Sequence, residues 1–158
     1  MNCPGLTSES AARDTGRAYR AMIGDMGYRV AQAKDHDYEE RTRPDGREDE
    51  PTRQAADVTD AAGLQQSRAR LWRYPPGSRG RRHADHAQEE VFVVLAGTLT
   101  MHLGEPPERV ELPPESVVSV EPGTALQLRN DGDEEVVVFI YGAPPEQAGA
   151  DFFEDAEG

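Results

Sequence analysis

The chain is short of three things, and each shortage removes a class of function. It has a single cysteine, Cys3, so no internal disulfide can form and no thiolate cluster can hold a metal. It has no apolar run approaching the ~20 residues that a membrane-spanning helix needs. Nor does it open on a basic stretch followed by an apolar one, so no secretory leader is readable and a cytoplasmic location is expected. It is poor in positive charge: Lys34 is the only lysine, and 17 Lys and Arg face 30 Asp and Glu, for a net charge of −13. Such a surface repels phosphate, which argues against nucleic acid or an anionic membrane as a general partner. The preference for arginine over lysine fits salt adaptation or a GC-rich genome, and the sequence does not separate the two. No Cys–His or Ser–His–Asp set and no glycine-rich phosphate loop is readable.

What remains, in 158 residues, is room for one modest core. Residues 1–63 read as an N-terminal extension and charged linker, largely irregular. Thr7 or Ser8 can cap a helix running through Ile23, with Ala11, Ala12, Tyr19, Met22 and Ile23 on its apolar face. Gly16 interrupts that helix at a cost of about 1 kcal/mol relative to alanine. Met26 opens a phrase, MGYRV, that reads like a natural start and would leave the residues before it with little structural role. Residues 35–57 are dense in charge and nearly free of large aliphatics. They bury too little apolar surface to offset the entropy of ordering, so a solvated loop is expected there, with His36 in water between two aspartates. Residues 143–158 read as an acidic tail, disordered, with Phe152 and Phe153 its only large apolar groups.

Between these lies a segment, 64–142, of different texture. SRARLWRY (67–74) alternates and stops at Pro75-Pro76-Gly77. VFVVLAG (91–97) is rich in β-branched residues, and Gly97 marks a tight reversal into TLTMHLG (98–104). ERVELPP (108–114), SVVSVEPG (116–123), TALQLRN (124–130) and EEVVVFIYG (134–142) follow, each ending in a turn residue. Short, evenly spaced strands with no helix among them make an all-β sandwich or barrel. Its core and pocket walls draw on Leu71, Trp72, Phe92, Val94, Leu95, Leu99, Met101, Val118, Val120, Leu126, Leu128, Val136, Val138 and Ile140. His102, alternating with apolar neighbours, reads as a surface or interface residue.

The densest chemistry is in GSRGRRHADHAQEEVFVVLAG (77–97), where two histidines, an aspartate and two glutamates run into an apolar strand. Gly77, His83, Asp85, Glu90 and Gly97 stand at the spacings of G-x5-H-x-H-x3,4-E-x6-G, and this stretch resembles the first motif of the cupin superfamily, with Asp85 in place of the second histidine. EPGTALQLRN (121–130) resembles the second, P-x-G-x2-H-x3-N. Gly123 and Asn130 match, Glu121 replaces the proline, Leu126 stands where the last metal-ligating histidine would be, and Glu115 replaces the glycine that usually opens the motif. The resemblance spans about residues 67–142. It implies a cupin-type jelly-roll β-barrel with a ligand pocket inside, of the small single-domain kind with a degenerate metal site.

The resemblance carries His83 and Glu90 over as metal ligands, with Asp85 at the second position and a leucine, which has no lone pair, at the fourth. His86 offers a repair if a bulge turns the strand, giving His83, His86 and Glu90 as a two-histidine, one-carboxylate set. Either no metal is held, or a divalent ion (Mn, Fe, Ni or Zn) sits among His83, Asp85, His86 and Glu90. Without a metal, Glu90 inside an apolar barrel must be protonated, meet His83, or meet an arginine, and alternation nominates Arg81. The expected pocket residues are therefore Arg81, His83, Asp85, Glu90, Phe92, Met101 and Leu126. From Ala61 to His83 there is no acid but six arginines. Arg68, Arg70 and Arg73 read as partners of carboxylates elsewhere, while Arg79, Arg81 or Arg82 can draw an anionic ligand to the barrel mouth.

The reading is of a protein that binds a small molecule in its barrel. The alternatives are a metal-dependent dioxygenase or isomerase acting on a small organic, possibly anionic, substrate, or an interaction module with its pocket packed shut by Leu126, Phe92 and Met101. VVVFIY (136–141) is apolar on both faces, and together with the family resemblance it suggests a homodimer.

Overall fold

Alternation in RARLWRY sets the frame. In strand β3 (Arg68–Tyr74) the even residues Arg68, Arg70, Trp72 and Tyr74 face the barrel interior, while Leu71 and Arg73 face out. The structure is a computed structural model that describes residues 27–145 and 148–157. The helix expected between Thr7 and Ile23 lies outside them.

Before β3 come β1 (Tyr38–Arg41), β2 (Arg53–Asp57) and a one-turn helix α1 (Val58–Ala62). After it come β4 (His83–Asp85), β5 (Glu89–Ala96), β6 (Leu99–Leu103), β7 (Glu108–Leu112), β8 (Val117–Val120), β9 (Leu126–Arg129), β10 (Val136–Ala143) and β11 (Ala150–Phe152). They form two antiparallel sheets, β1-β2-β3-β10-β5-β8 and β11-β4-β9-β6-β7. The all-β jelly-roll expectation holds. Core side chains from both sheets meet between them: Tyr74, Phe92, Val94, Leu99, Met101, Leu112, Val120, Leu126, Leu128, Val136 and Val138.

Four expectations need correction. Residues 35–57 are not a solvated linker: they supply β1 and β2, and β2 extends the larger sheet by pairing with β3. Small Ala55 and Ala56 fit the ladder, and ion pairs do what aliphatic burial does not. The Arg43 side chain, only 4% exposed, is held by Asp45, Glu50 and Asp155. The tail is not disordered over its described residues, because β11 pairs with β4 in the register Phe152↔His83. Gly97 does not close a hairpin. It sits between β5 and β6, which belong to different sheets, and takes a positive φ of 70° where an added Cβ would lie 2.5 Å from the Glu135 carbonyl oxygen. Leu71 and Leu95 are not core: they point outward from β3 and β5, and Leu95 is 52% exposed.

Candidate functional site

The site begins with two strands from different sheets. β5 alternates, so Glu90, Phe92 and Val94 point inward. β4 is a three-residue strand that presents His83 to the same space. The His83 ring is fixed at one nitrogen: Nδ1 lies 3.0 Å from the Arg81 carbonyl oxygen, and since a carbonyl only accepts, Nδ1 carries the proton. Nε2 is then turned toward Glu90, 3.6 Å from Oε2. Burial works against a charged ring here. Glu90, the Arg81 carbonyl and Asp85 outweigh it, and the His83 pKa rises above the ordinary histidine value. So the buried Glu90 finds its counter-charge in His83.

Arg81 does not supply that charge. Its guanidinium stacks on the Phe152 ring, 3.7 Å from the centroid, and lies 3.6 Å from Asp45. Phe152 also faces the His83 ring at 6.3 Å between centroids. The C-terminal strand therefore forms one wall of the site.

These groups line a cavity of about 350 Å³, within the usual range for a small-molecule site. Of the expected pocket residues, Arg81, His83, Asp85, Glu90 and Phe92 line it. Met101 and Leu126 do not. Both are fully buried in the packed core, Leu126 directly opposite His83 in the ladder. The cavity is open, so Leu126, Phe92 and Met101 do not close it as an interaction module would require.

Trp72 and Ile140, expected among the core and pocket walls, line the cavity, while sequence reasoning missed Arg53, Arg68, Arg70, Tyr74 and Gln88. Arg68 and Arg70, read as partners of distant carboxylates, share the inward face of β3 with Trp72 and Tyr74. The alternation of SRARLWRY carried that signal. Arg79 and Arg82, read as mouth residues, are outside the lining. Arg79 pairs with Glu50 and Asp155. Arg82 holds Glu105 and the Gly104 carbonyl. Arg53 carried no local signal, since it belongs to the stretch read as linker.

The donors do not fit a resident metal. Asp85 commits Oδ1 to the backbone N–H groups of Ala87 and Gln88, at 2.9 and 2.8 Å. His86 is not turned inward by a bulge: β4 ends at Asp85, and the His86 ring lies on the outside, with Nε2 3.1 Å from Asp151. Leu126 brings no donor. Among the described residues no three His, Cys, Asp or Glu side chains converge as metal ligands. His102, read as a surface residue, is 2% exposed and takes no part in the site. Among the described residues no helix is long and apolar enough to cross a membrane.

Comparison with known proteins gives the fold a name. The family model described as "Cupin domain" matches residues 70–141. Among curated proteins nothing matches the chain. A sugar phosphate isomerase from a cupin superfamily, from Silicibacter pomeroyi, superposes with a TM-score of 0.61 at 21% identity, covering 72% of this chain and 74% of that one. A conserved Klebsiella pneumoniae protein with a double-stranded β-helix domain gives 0.56 at 22% identity, over 70% and 90%. A predicted oxalate decarboxylase from Thermotoga maritima gives 0.62 at 17%, over 73% and 98%. Likeness at these identities speaks to fold alone.

Proposed function

We propose that the protein, whose residues 70–141 match the cupin-domain model and whose two sheets make a double-stranded β-helix, binds a small molecule in the mouth of its barrel, with no resident metal ion. One observation carries the reading: a cavity of about 350 Å³ in which a paired imidazole and carboxylate, His83 and Glu90, face an aromatic and arginine-lined wall. Such a cavity offers apolar surface from Trp72, Phe92 and Ile140 and a few placed polar groups. His83 and Glu90 orient the ligand, and Arg81 and Phe152 form the rim on the C-terminal side.

The test is a fragment screen by thermal shift and NMR on the whole chain, purified without a histidine tag. Ligands that move the His83 ring resonances and lose affinity about ten-fold or more in His83→Ala are expected. A screen whose hits leave those resonances unmoved counts against the reading. Elemental analysis of the same sample tests the metal clause: far less than one Mn, Fe, Ni or Zn per chain is expected. A stoichiometric metal that survives dialysis overturns it.

The fixed tautomer of His83 favours a second reading, an enzyme in which the pair moves a proton on the bound molecule. With Nδ1 tied to a carbonyl, Nε2 is the nitrogen left to exchange a proton, and Glu90 sets its basicity. A ligand turned over by the wild type but only bound by Glu90→Gln distinguishes this reading from simple binding. We also propose that the working unit is a homodimer formed through the outer face of the larger sheet.

A further inference from the structure

The formal charge of the cavity runs against that of the chain. Four arginines line it (Arg53, Arg68, Arg70 and Arg81), against two carboxylates, Asp85 and Glu90, in a protein of net charge −13. The arginines are unevenly neutralised. Among the described residues Arg81 has Asp45, and Arg70 has only Asp57, at 3.9 Å. Among the described residues Arg53 and Arg68 make no ion pair with any carboxylate. Arg53 is 8% exposed, and its contacts are the Tyr74 hydroxyl at 3.4 Å and the faces of the Trp72 and Tyr74 rings, at 5.1 and 5.5 Å to their centroids. A guanidinium cannot shed its proton to escape burial. Leaving it without a counter-ion is costly, so Arg53, Arg68 and Arg70 together make this wall of the open cavity a place for an anion. The local field agrees: burial and the neighbouring Arg68 hold the Arg70 pKa below the usual arginine value, Asp57 offsetting them only in part.

The ladder says where the anion sits. Gly142 on β10 pairs with Arg68 on one side and with Glu90 on the other. The next inward row is Arg70, Ile140 and Phe92. Two ladder steps separate Arg68 from Glu90, about 10 Å between backbones, and the residue between them has no side chain. A Cβ on Gly142 would meet Gln88 Oε1 at 3.1 Å. The Gln88 carboxamide therefore lies over Gly142 and floors the cavity, with two arginines along one edge and the His83–Glu90 pair along the other.

We infer that the cavity takes a small organic acid whose anionic head, a carboxylate or phosphate group, lies between Arg68 and Arg70, and whose hydroxyl or carbonyl end passes over the Gln88 carboxamide to reach His83 and Glu90. The inference rests on the binding function proposed above and adds its ligand class. Guanidinium groups match both heads through paired N–H donors, and Arg53 adds its charge from the aromatic side.

Calorimetric titration of the whole chain with ribose 5-phosphate, malate and ribose tests it. At low salt, one or both anions bind at least about ten-fold tighter than ribose and weaken as ionic strength rises. The tighter of the two identifies the head group. Arg68→Gln and Arg70→Gln each lower anion affinity by about ten-fold, a larger fall than either gives for ribose. Arg109→Gln, a charge loss on the far edge strand, does not. Equal binding of anions and ribose, or anion binding retained in the Arg68→Gln/Arg70→Gln double variant, overturns the inference. If ribose moves the His83 resonances and the anions gain nothing, the binding function stands and only the ligand class falls. If none of the three moves them, the ligand class is overturned, and the neutral fragment screen decides the binding function on its own.

Discussion

Single residues carry the sharpest departures from a regular barrel. Glu115 is the only non-glycine with positive φ among the described residues, at 72°. It occupies the third position of the turn Pro113-Pro114-Glu115-Ser116, closed by the Ser116 N–H to the Pro113 carbonyl at 3.2 Å. A proline second and a positive φ third is the type II pattern, which wants glycine there. Glu115→Gly is therefore expected to raise stability by up to about 1 kcal/mol, the strain relieved exceeding the extra chain entropy, as read by urea denaturation. A loss of stability would contradict the strain. The pKa values of His83 and His102 shift in opposite directions. Folding raises the His83 pKa above its unfolded 6.5, so its stabilisation is complete below pH 6.5 and is lost as pH rises through the folded value. Glu90→Gln should move the His83 NMR titration midpoint down, and an unmoved midpoint would separate the two groups. Burial and then Arg129, helped by Arg109 and Arg82 against Asp131, hold the His102 pKa below 6.5. Its contribution is present above pH 6.5 and is lost as pH falls toward the folded value, so His102→Gln should flatten the acid side of the stability curve. His83 and Glu90 are legible as pocket residues because the first motif's spacing names both, but their pairing is only one of the ways open to Glu90, and alternation nominates Arg81 instead. Arg53 is not legible, because its role comes from a ladder between distant segments.

At the scale of elements, the chain on either side of the segment from 64 to 142 was misread for one physical reason. Sequence rules weigh aliphatic content, whereas these segments fold through charge. Asp155, five residues from the start of β11, accepts two hydrogen bonds from Arg43 at 3.0 and 2.9 Å and one from Gln127 at 2.7 Å, and pairs with Arg79 at 3.2 Å. It joins the β1–β2 connection to the C-terminal segment. Burial would raise its pKa, but Arg43, Gln127 and Arg79 outweigh that and hold it below 3.8. The stabilisation is thus present above the unfolded value and disappears as pH falls through the folded one. Asp155→Ala leaves Arg43 with Glu50 and Asp45, so the loss should be about 1–3 kcal/mol rather than that of a fully orphaned charge. Because the Phe152 wall depends on the same segment, ligand affinity should fall and the C-terminus should become sensitive to limited proteolysis. Unchanged proteolysis would mean that β11 is held by its ladder to β4 alone.

For the whole molecule, the barrel was legible because period-2 alternation, turn residues and two spaced motifs all point to one fold. What alternation leaves over is an apolar outer face on the larger sheet. Tyr38, Ala56, Leu71, Phe139, Val93 and Val117 form one continuous cross-strand row over all six strands. Leu95 and Tyr141 lie beside it, and Val117 is 64% exposed. Ala56 within the row is buried, but Leu95, Val117 and Tyr141 stand exposed together on this face, and exposed apolar side chains grouped in this way mark an interaction surface. A flat self-complementary sheet face suits a two-fold contact, in which the same patch serves both copies, and a stable one needs roughly 800 Å² from each. Sedimentation should therefore give twice the 17.4 kDa chain mass. Leu95→Glu and Val117→Glu replace exposed side chains, so each should leave a lone chain's stability within about 0.5 kcal/mol. Buried against a second copy, the same charges would be unpaired, and the double variant should sediment as a folded monomer with unchanged circular dichroism. A wild type that is monomeric at about 10 μM, well above the dissociation constants usual for interfaces of this size, would show that water, and not a second copy, covers this face.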